Sequence, residues 1–312
     1  MRTSFSSLRG AAERIEVAAA DGAVLPLYAL NGPDDAPGLL VGHANGLAAG
    51  SYGPWLHVLS RWFRVFAFDA RGHGGSSWPE GWLADVFSID RFADDLARVA
   101  AQVHERLMGA PLHFAGHSLS AASAVRLALD GAALPFDVAI LFEPPIFPPA
   151  DSPHYTEASL QQEKLVRGSL RRERQWKNPA ALETYLQSRG VFRTFEPELL
   201  RAHCEAILRP EGNHYVLCCP PEVESFIFMS HRDADTWSRL GTIRARFHLV
   251  SGDPEAPERD WVTGAATSIA QGMHAVSLEV LREAGHMMIF QQPQRCTEIV
   301  RRRTAASICK NA

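Results

Sequence analysis

Short apolar runs recur along this chain and are separated by polar turns or by longer segments with helical spacing. Asp21-Gly22 is a strong hairpin turn between the first two runs. Runs of this length and composition predict β-strands. The predicted strands cover residues 13–20, 24–30, 38–43, 64–70, 111–116, 136–143, 244–252 and 275–281.

The segments between these runs have the three- and four-residue spacing of amphipathic helices. In residues 88–107, apolar side chains recur at helical spacing, namely Phe92, Leu96, Val99, Val103 and Leu107. Three further helices are predicted at residues 54–61, 118–129 and 293–308. Alternating strands and helices indicate an α/β protein with a mostly parallel sheet, preceded by an antiparallel hairpin.

Residues 144–235 interrupt this alternation. They open with the proline-rich stretch "PPIFPPADSP" and continue without clear strand alternation. Their aromatic residues include Trp176, Tyr185, Phe192 and Phe195. We therefore expect a helical subdomain at 144–235, inserted into a core formed by residues 1–143 and 236–312.

The composition of the chain is that of an ordinary globular protein. Of its 312 residues, 46% are hydrophobic and 21% are charged, and the formal net charge is -4. This charge argues against a nucleic-acid partner. The chain has neither a run of about 18 apolar residues, as a membrane span needs, nor an apolar secretory leader. We expect no membrane partner.

The cysteines are irregularly spaced and odd in number. They are Cys204, Cys218, Cys219, Cys296 and Cys309. Adjacent cysteines match no zinc pattern, so we expect free thiols in a reducing compartment and a cytoplasmic protein. No cluster of histidine, cysteine and aspartate has metal-ligand spacing, and no cofactor is expected.

The strand at 111–116 runs directly into a helix through "GHSLS". A strand, Gly-x-Ser-x-small and a helix form a nucleophile elbow, in which a strained turn lifts the serine hydroxyl clear of the sheet. Gly116 and Ser118 occupy the first two key positions, and Ser120 replaces the usual second glycine. The alternative is that Ser118 is only the N-cap of the helix.

A serine nucleophile needs a base to take its proton, and histidine is the usual one. His286 follows a glycine in "EAGHMMIF", between the last predicted strand and the last helix. The order of serine, then acid, then histidine is the one expected on such a sheet. His286 is therefore the candidate base.

Three carboxylates compete to orient that histidine. Asp253 and Glu255 follow the seventh predicted strand, and Glu143 ends the sixth. Asp253 can equally be a turn residue before a proline. Glu143 stands between an apolar strand and two prolines, so it needs a partner if it is buried.

The developing oxyanion also needs hydrogen-bond donors. One is expected from the backbone N–H of Leu119, directly after the nucleophile, and another from the loop "GHANGL". In that loop Asn45 can donate through its backbone N–H and through its side-chain amide. His43 is expected to orient the loop, and the turn "FDARGHGGS" (68–76) is expected to be structural, with Asp69, Arg71 and His73.

Together these segments resemble the α/β-hydrolase superfamily. The pieces "GHANG", "FDARGHGGS", "GHSLS", "SGDPE" and "EAGHMMIF" come in the family's order. The resemblance implies an eight-stranded, mostly parallel sheet with helices on both faces and a helical cap inserted after the sixth strand. In most members the acid follows the seventh strand, so the resemblance favours Asp253, with Glu143 as its rival. The departures are Ser120 for glycine and "HANG" for a His-Gly start.

The serine argues against family members with an aspartate nucleophile, such as epoxide hydrolases and haloalkane dehalogenases. The resemblance implies a serine hydrolase that forms an acyl-enzyme on an ester-type bond of a small, partly apolar substrate. The alternatives are a lactonase or a cofactor-free carbon–carbon bond hydrolase. A receptor that keeps the fold but binds without turnover is a further alternative. The arginine-rich run from Arg171 can also place a cation near a carboxylate-bearing substrate.

Overall fold

A computed structural model describes Leu8 and residues 12–232, 234–256 and 259–308. Cys309 lies outside these residues. The eight strands predicted from the sequence form one sheet with the strand order β1-β2-β4-β3-β5-β6-β10-β11. These strands are β1 (Glu13–Ala18), β2 (Val24–Leu30), β3 (Gly38–Gly42), β4 (Arg64–Phe68), β5 (Leu112–His117), β6 (Val138–Phe142), β10 (Phe247–Ser251) and β11 (Val276–Val280).

From β4 to β11 every neighbouring pair in this sheet is parallel, whereas β2 pairs antiparallel with β1 and with β4. The register aligns Gly42 with Gly116 and His117 with Phe142. The carboxyl ends of β3, β5, β6 and β10 therefore meet at one edge, as the predicted topology requires. The residues that follow these strands share that edge.

Side chains that alternate along each strand supply two separate cores, one on each face of the sheet. Leu40, Phe114 and Leu141 belong to one core, whereas their neighbours Leu39 and Ile140 belong to the other. Both faces are buried because helices cover both sides, which is why the central strands are apolar throughout.

The four helices predicted in the core part have nearly the bounds that the spacing indicated, and the structure adds three that were not predicted. Ser88 begins the longest of them by accepting a hydrogen bond from the Arg91 backbone N–H. The helices in this part are α1 (Gly53–Leu59), α2 (Leu83–Val86), α3 (Ile89–Leu107), α4 (Leu119–Leu127), α10 (Trp261–Gly272), α11 (Met288–Gln291) and α12 (Pro293–Ile308). Short 3₁₀ turns lie at Ala49–Tyr52, Leu129–Gly131 and Leu240–Thr242.

The described residues between β6 and β10 add no strand to the large sheet. They form α5 (Tyr155–Leu170), α6 (Pro179–Leu186), α7 (Pro197–Ala206), α8 (Pro221–Ser230) and α9 (Ala234–Ser238), with a 3₁₀ turn at Gly190–Thr194. We call residues 144–235 the insert.

One prediction about the insert is wrong, because it is not purely helical. It contains a second, antiparallel sheet with the order β7-β9-β8, formed by β7 (Gln175–Trp176), β8 (Leu208–Glu211) and β9 (His214–Leu217). Strands of two to four residues are too short to show a period of two in the sequence.

The insert packs on the loop that follows β3. Helix α7 lies against the turn at Ala49–Tyr52 and against α1. At Gly50 a Cβ atom would stand 2.9 Å from the Cβ of Ala206. The insert therefore covers the carboxyl edge of the large sheet beside β3.

Four of the five cysteines lie in the described part of the chain. Cys204, Cys219 and Cys296 are free thiols, and all four described cysteines are buried. In the same part of the chain, no helix has both the length and the apolar character that crossing a bilayer requires.

A buried ion pair anchors the turn after β4. The guanidinium of Arg71 is 1% exposed and donates to both carboxylate oxygens of Asp95 on α3, at 2.7 and 2.8 Å. It also donates to Asp21 in the hairpin turn and to the Val86 carbonyl. The structural role predicted for Arg71 agrees with these contacts, which join the hairpin, the turn and two helices.

We expect Asp95→Ala to lower the free energy of unfolding by about 3–5 kcal/mol, because it leaves a buried guanidinium short of its main partner. Urea denaturation measures the change. The matched control is Glu13→Ala, which breaks the exposed pair with Arg106 and should cost less than about 1 kcal/mol. Equal losses in the two variants would contradict the assigned role of the buried pair.

Candidate active site

Ser118 lies in a strained turn between β5 and α4. Its backbone has φ 52° and ψ -111°, which non-glycine residues rarely adopt. The Ser118 N–H donates to the Phe142 carbonyl of β6 at 2.9 Å, which fixes the turn to the neighbouring strand. Because Leu119 is the first helical residue, its backbone N–H has no acceptor within the helix and points out of this end.

Gly116 is required where the helix returns over its strand. A Cβ atom at this position would stand 2.5 Å from the Phe114 ring and 2.9 Å from the Ala121 backbone nitrogen. Real Cβ atoms do not approach other atoms this closely, so a larger residue would push α4 away from β5. Steric overlap therefore explains why the first position of the predicted elbow is a glycine.

Ser120, the departure from the usual glycine, is accommodated by a glycine on the next strand. Its side chain is buried against Gly42, where a Cβ atom would lie 2.4 Å from the Ser120 Cβ. The Ser120 hydroxyl donates to the His43 carbonyl at 2.8 Å. The serine thus ties the elbow helix to the loop after β3.

His286 lies between Ser118 and a carboxylate. Its Nε2 is 3.0 Å from the Ser118 hydroxyl oxygen, and its Nδ1 is 2.8 Å from Oε2 of Glu143. With Nδ1 protonated, His286 donates to Glu143 and its Nε2 accepts the serine proton. The structure brings these three predicted residues into one hydrogen-bonded chain.

Glu143 has no exposed side-chain surface, and its second oxygen is fully engaged. Oε1 accepts from the Gly252 N–H and from the Thr263 hydroxyl, both at 2.6 Å. Burial alone would raise the pKa of Glu143, but the bonds from His286 and Thr263 outweigh burial and lower it. Glu143 is therefore held ionised.

The structure contradicts the prediction that Asp253 orients His286. The Asp253 carboxylate accepts from the backbone N–H groups of Glu283 and Glu255, each at 3.0 Å, and pairs with Arg282. It shapes the turn instead of reaching the imidazole. The other rival, Glu255, is exposed. Of the three candidates, the imidazole contacts only the strand-end glutamate.

The Asn45 side chain, considered above as a possible donor, is engaged with the insert through its amide group. Its amide nitrogen donates to the Glu224 carbonyl of the insert at 3.0 Å, and its oxygen lies beside His73. The backbone N–H groups of Asn45 and Leu119 remain the candidate oxyanion donors. Gly46 has φ +76°, and a Cβ there would lie 2.6 Å from a carboxylate oxygen of Glu224.

Buried polar groups in this loop and in the turn after β4 hold the two segments together. Nε2 of His43 accepts from the Ala70 N–H at 2.9 Å, and Nε2 of His73 accepts from the Gly46 N–H at 3.0 Å. Asp69 accepts from the Ala49 N–H at 2.9 Å. Burial lowers the pKa of His73 to about 3, so this ring is neutral. These contacts agree with the orienting and structural roles predicted for these residues.

Two residues close to the candidate triad were not predicted from the sequence. His117, next to the nucleophile, lies 2.6 Å from the Tyr52 hydroxyl and 2.8 Å from the His286 carbonyl. Asp260, the N-cap of α10, has Oδ2 3.4 Å from Nδ1 of His286. An aspartate before the apolar start of a helix is a recognisable N-cap signal. Nothing in the local sequence indicates that it faces the histidine.

Glu143, Asp260 and His286 are the one group in the described ranges whose ligand atoms are close enough to consider for a metal ion. Both oxygens of Glu143 already accept hydrogen bonds from protein groups. The arrangement matches a carboxylate–imidazole relay better than an open metal site, and we assign no metal to it.

A model of the alpha/beta hydrolase family matches residues 36–299 of the chain. The chain belongs to this family. The eight-stranded sheet with helices on both faces confirms the fold that the resemblance implied. No curated protein matches the chain in sequence.

Among solved structures, this hydrolase-family chain is similar to E-2-(acetamidomethylene)succinate hydrolase, with 18% identity over 94% of this chain and 99% of that one, at a TM-score of 0.77. A thioesterase domain from the curacin biosynthetic pathway matches at 18% identity over 93% and 99% of the two chains, with a TM-score of 0.70. An esterase from Exiguobacterium antarcticum matches at 17% identity over 92% and 98%, with a TM-score of 0.68. At these identities the likeness concerns the fold alone.

The contact between Gly42 and Ser120 predicts a strong coupling. Gly42→Ala should cost about 1–3 kcal/mol, because the new methyl group overlaps the serine Cβ. In a Ser120→Gly background the same change should cost much less, since the overlapping atom is absent. Urea denaturation of the four proteins in the double-mutant cycle measures the coupling. Additive effects would contradict the proposed close contact.

Proposed function

We propose that this protein is a serine hydrolase whose triad is Ser118, His286 and Glu143. The observation that carries the proposal is the continuous chain from the Ser118 hydroxyl through His286 to a fully buried, ionised glutamate. Membership in a family of hydrolases supports the same reaction class.

In this mechanism the Ser118 oxygen attacks a carbonyl carbon while His286 Nε2 takes the hydroxyl proton. Glu143 keeps the imidazole in the correct tautomer and stabilises the imidazolium that forms. The backbone N–H groups of Leu119 and Asn45 bind the oxyanion. Collapse of the tetrahedral intermediate breaks the bond to the leaving group, which receives the proton from His286. Water then hydrolyses the acyl-enzyme by the same steps.

We propose an ester-type bond in a small, partly apolar substrate. Ser118 is only 7% exposed, and residues of the insert cover the loop beside it, so the site favours a compact acyl group over a bulky one. The related structures include an esterase and a thioesterase, whose names both denote acyl transfer to water. We propose that the insert acts as the cap that selects the substrate.

Arg172, in the arginine-rich run, lies beside the loop after β3. Its Nη1 would stand 3.4 Å from a Cβ at Gly46, but the guanidinium pairs with Glu224. The pair leaves no net charge beside the loop. It therefore gives no reason to expect a carboxylate on the substrate.

An activated short-chain ester should give a burst of one equivalent of leaving group, because acylation of Ser118 is followed by slower hydrolysis of the acyl-enzyme. A fluorophosphonate should label Ser118. Ser118→Ala should lose both the burst and the label, whereas Ser123→Ala, altered on the same helix, should keep them.

Other results would favour the alternatives. If activated esters are not hydrolysed but a vinylogous diketone is cleaved, the protein is a carbon–carbon bond hydrolase. Turnover of a lactone in preference to open esters would identify a lactonase. A folded protein that binds small molecules but is neither labelled nor active would be a receptor.

Glu143→Gln should lower kcat on the order of 10⁴-fold with the fold intact, because the amide no longer stabilises the imidazolium. Asp253→Asn is the matched control on the neighbouring strand end and should keep near-normal turnover, since its contacts are with Glu283, Glu255 and Arg282. Circular dichroism and steady-state kinetics on both variants make the comparison. The reverse pattern would restore Asp253 as the triad acid.

A further inference from the structure

A second carboxylate faces the candidate base. Oδ2 of Asp260 lies 3.4 Å from Nδ1 of His286, on the same ring nitrogen that Glu143 approaches at 2.8 Å. The two acids come from different elements, since Glu143 follows β6 and Asp260 begins α10. The imidazole N–H therefore points at two anionic groups.

The two oxygens of Asp260 have separate partners. Oδ1 caps α10 by accepting from the backbone N–H groups of Val262 and Thr263, at 2.9 and 3.2 Å. This cap fixes the rotamer of the side chain and leaves Oδ2 directed at His286. The side chain is 26% exposed, so its charge remains partly solvated, unlike that of Glu143.

Burial alone would lower the pKa of His286, but Asp260 and Glu143 outweigh burial and raise it to about 9. Burial and the neighbouring Glu143 raise the pKa of Asp260 to about 6, although His286 opposes the rise. An imidazole between two carboxylates holds its proton more tightly than one beside a single carboxylate.

We propose that Asp260 is a positioning residue that stabilises the imidazolium form of His286 together with Glu143 and sets the pH at which His286 becomes a base. This inference rests on the proposed serine-hydrolase function. A base with a raised pKa is free to accept a proton only at higher pH. The acid limb of kcat/KM should therefore lie above the ordinary histidine value.

The other groups around His286 do not supply this charge. His117 packs beside it with ring centroids 5.2 Å apart, but burial lowers the pKa of His117 to about 3, so that ring is neutral. Ser118 is uncharged. Arg282 is paired with Asp253. Among the residues that the structure describes, Glu143 and Asp260 are thus the two charges that face the imidazole.

Asp260→Asn tests the proposal, because asparagine is an equally good N-cap but carries no charge. With histidine carbon-13-labelled at Cε1, the His286 resonance is followed by NMR across a pH titration, and its midpoint gives the pH at which His286 loses its proton. The resonance is assigned as the one that is absent in His286→Gln. We expect the midpoint in Asp260→Asn to fall by about one pH unit or more, the shift that one nearby charge produces. The acid limb of kcat/KM should move by the same amount.

Asp253→Asn is the matched control. It removes the charge of an aspartate that lies in the same loop but does not contact the imidazole. The His286 midpoint in this variant should equal that of the wild type. If Asp260→Asn does not fold, Asp260→Ser keeps a capping oxygen and is judged by the same shift. An unchanged midpoint in the folded variant would overturn the proposal and leave Asp260 as a helix cap only.

The two proposals fail in different ways. Absence of turnover and of phosphonate labelling in the wild type would overturn the hydrolase function, while the resonance titration would still measure the effect of Asp260. Normal turnover of the wild type, together with equal His286 midpoints in the wild type and in Asp260→Asn, would overturn the role of Asp260 and leave the triad proposal intact.

Discussion

A carboxylate with no exposed surface needs a partner for its charge, and the arrangement of this active site depends on how Glu143 obtains its partners. The Gly252 N–H fixes it to the end of β10, the Thr263 hydroxyl to α10, and His286 to the loop after β11. An unpaired charge at this depth would cost several kcal/mol. These hydrogen bonds therefore orient the candidate base and also join Glu143 to three segments that lie 109 to 143 residues further along the chain.

The loop opposite the base is held in an equally specific way. His43, His73 and Asp69 are buried and each bonds to a backbone N–H of the loop after β3 or of the turn after β4. The insert completes this shell through the contact of Glu224 with Asn45. The position of the candidate oxyanion donor in this loop therefore depends on the insert as well as on the core.

Much of this architecture follows from short-range patterns. The apolar runs predicted the strands. The strand–turn–helix context identified Ser118 as the candidate nucleophile, and the Gly-His step identified His286 as the candidate base. The preferred acid, Asp253, differs from the one that contacts the imidazole because neighbouring strand ends of a parallel sheet lie about 4.8 Å apart, so either can reach the same ring. Both carboxylates are buried, and their contacts distinguish them: Glu143 accepts from His286, whereas Asp253 accepts from the backbone N–H groups of Glu283 and Glu255. Helix α10 was not predicted because "WVTGAATSIAQG" is rich in small residues, and its capping Asp260 was missed with it.

The contact between Gly42 and Ser120 has a consequence for how relatives of this chain can diverge. A serine at the elbow is compatible only with a residue lacking Cβ on the adjacent strand. A lineage that first loses the side chain at position 120 is expected to gain one at position 42 without the overlap, whereas the opposite order is expected to pass through a less stable ancestor. The two sites are thus epistatic, and the order of their substitutions in evolutionary history is constrained by a single steric overlap.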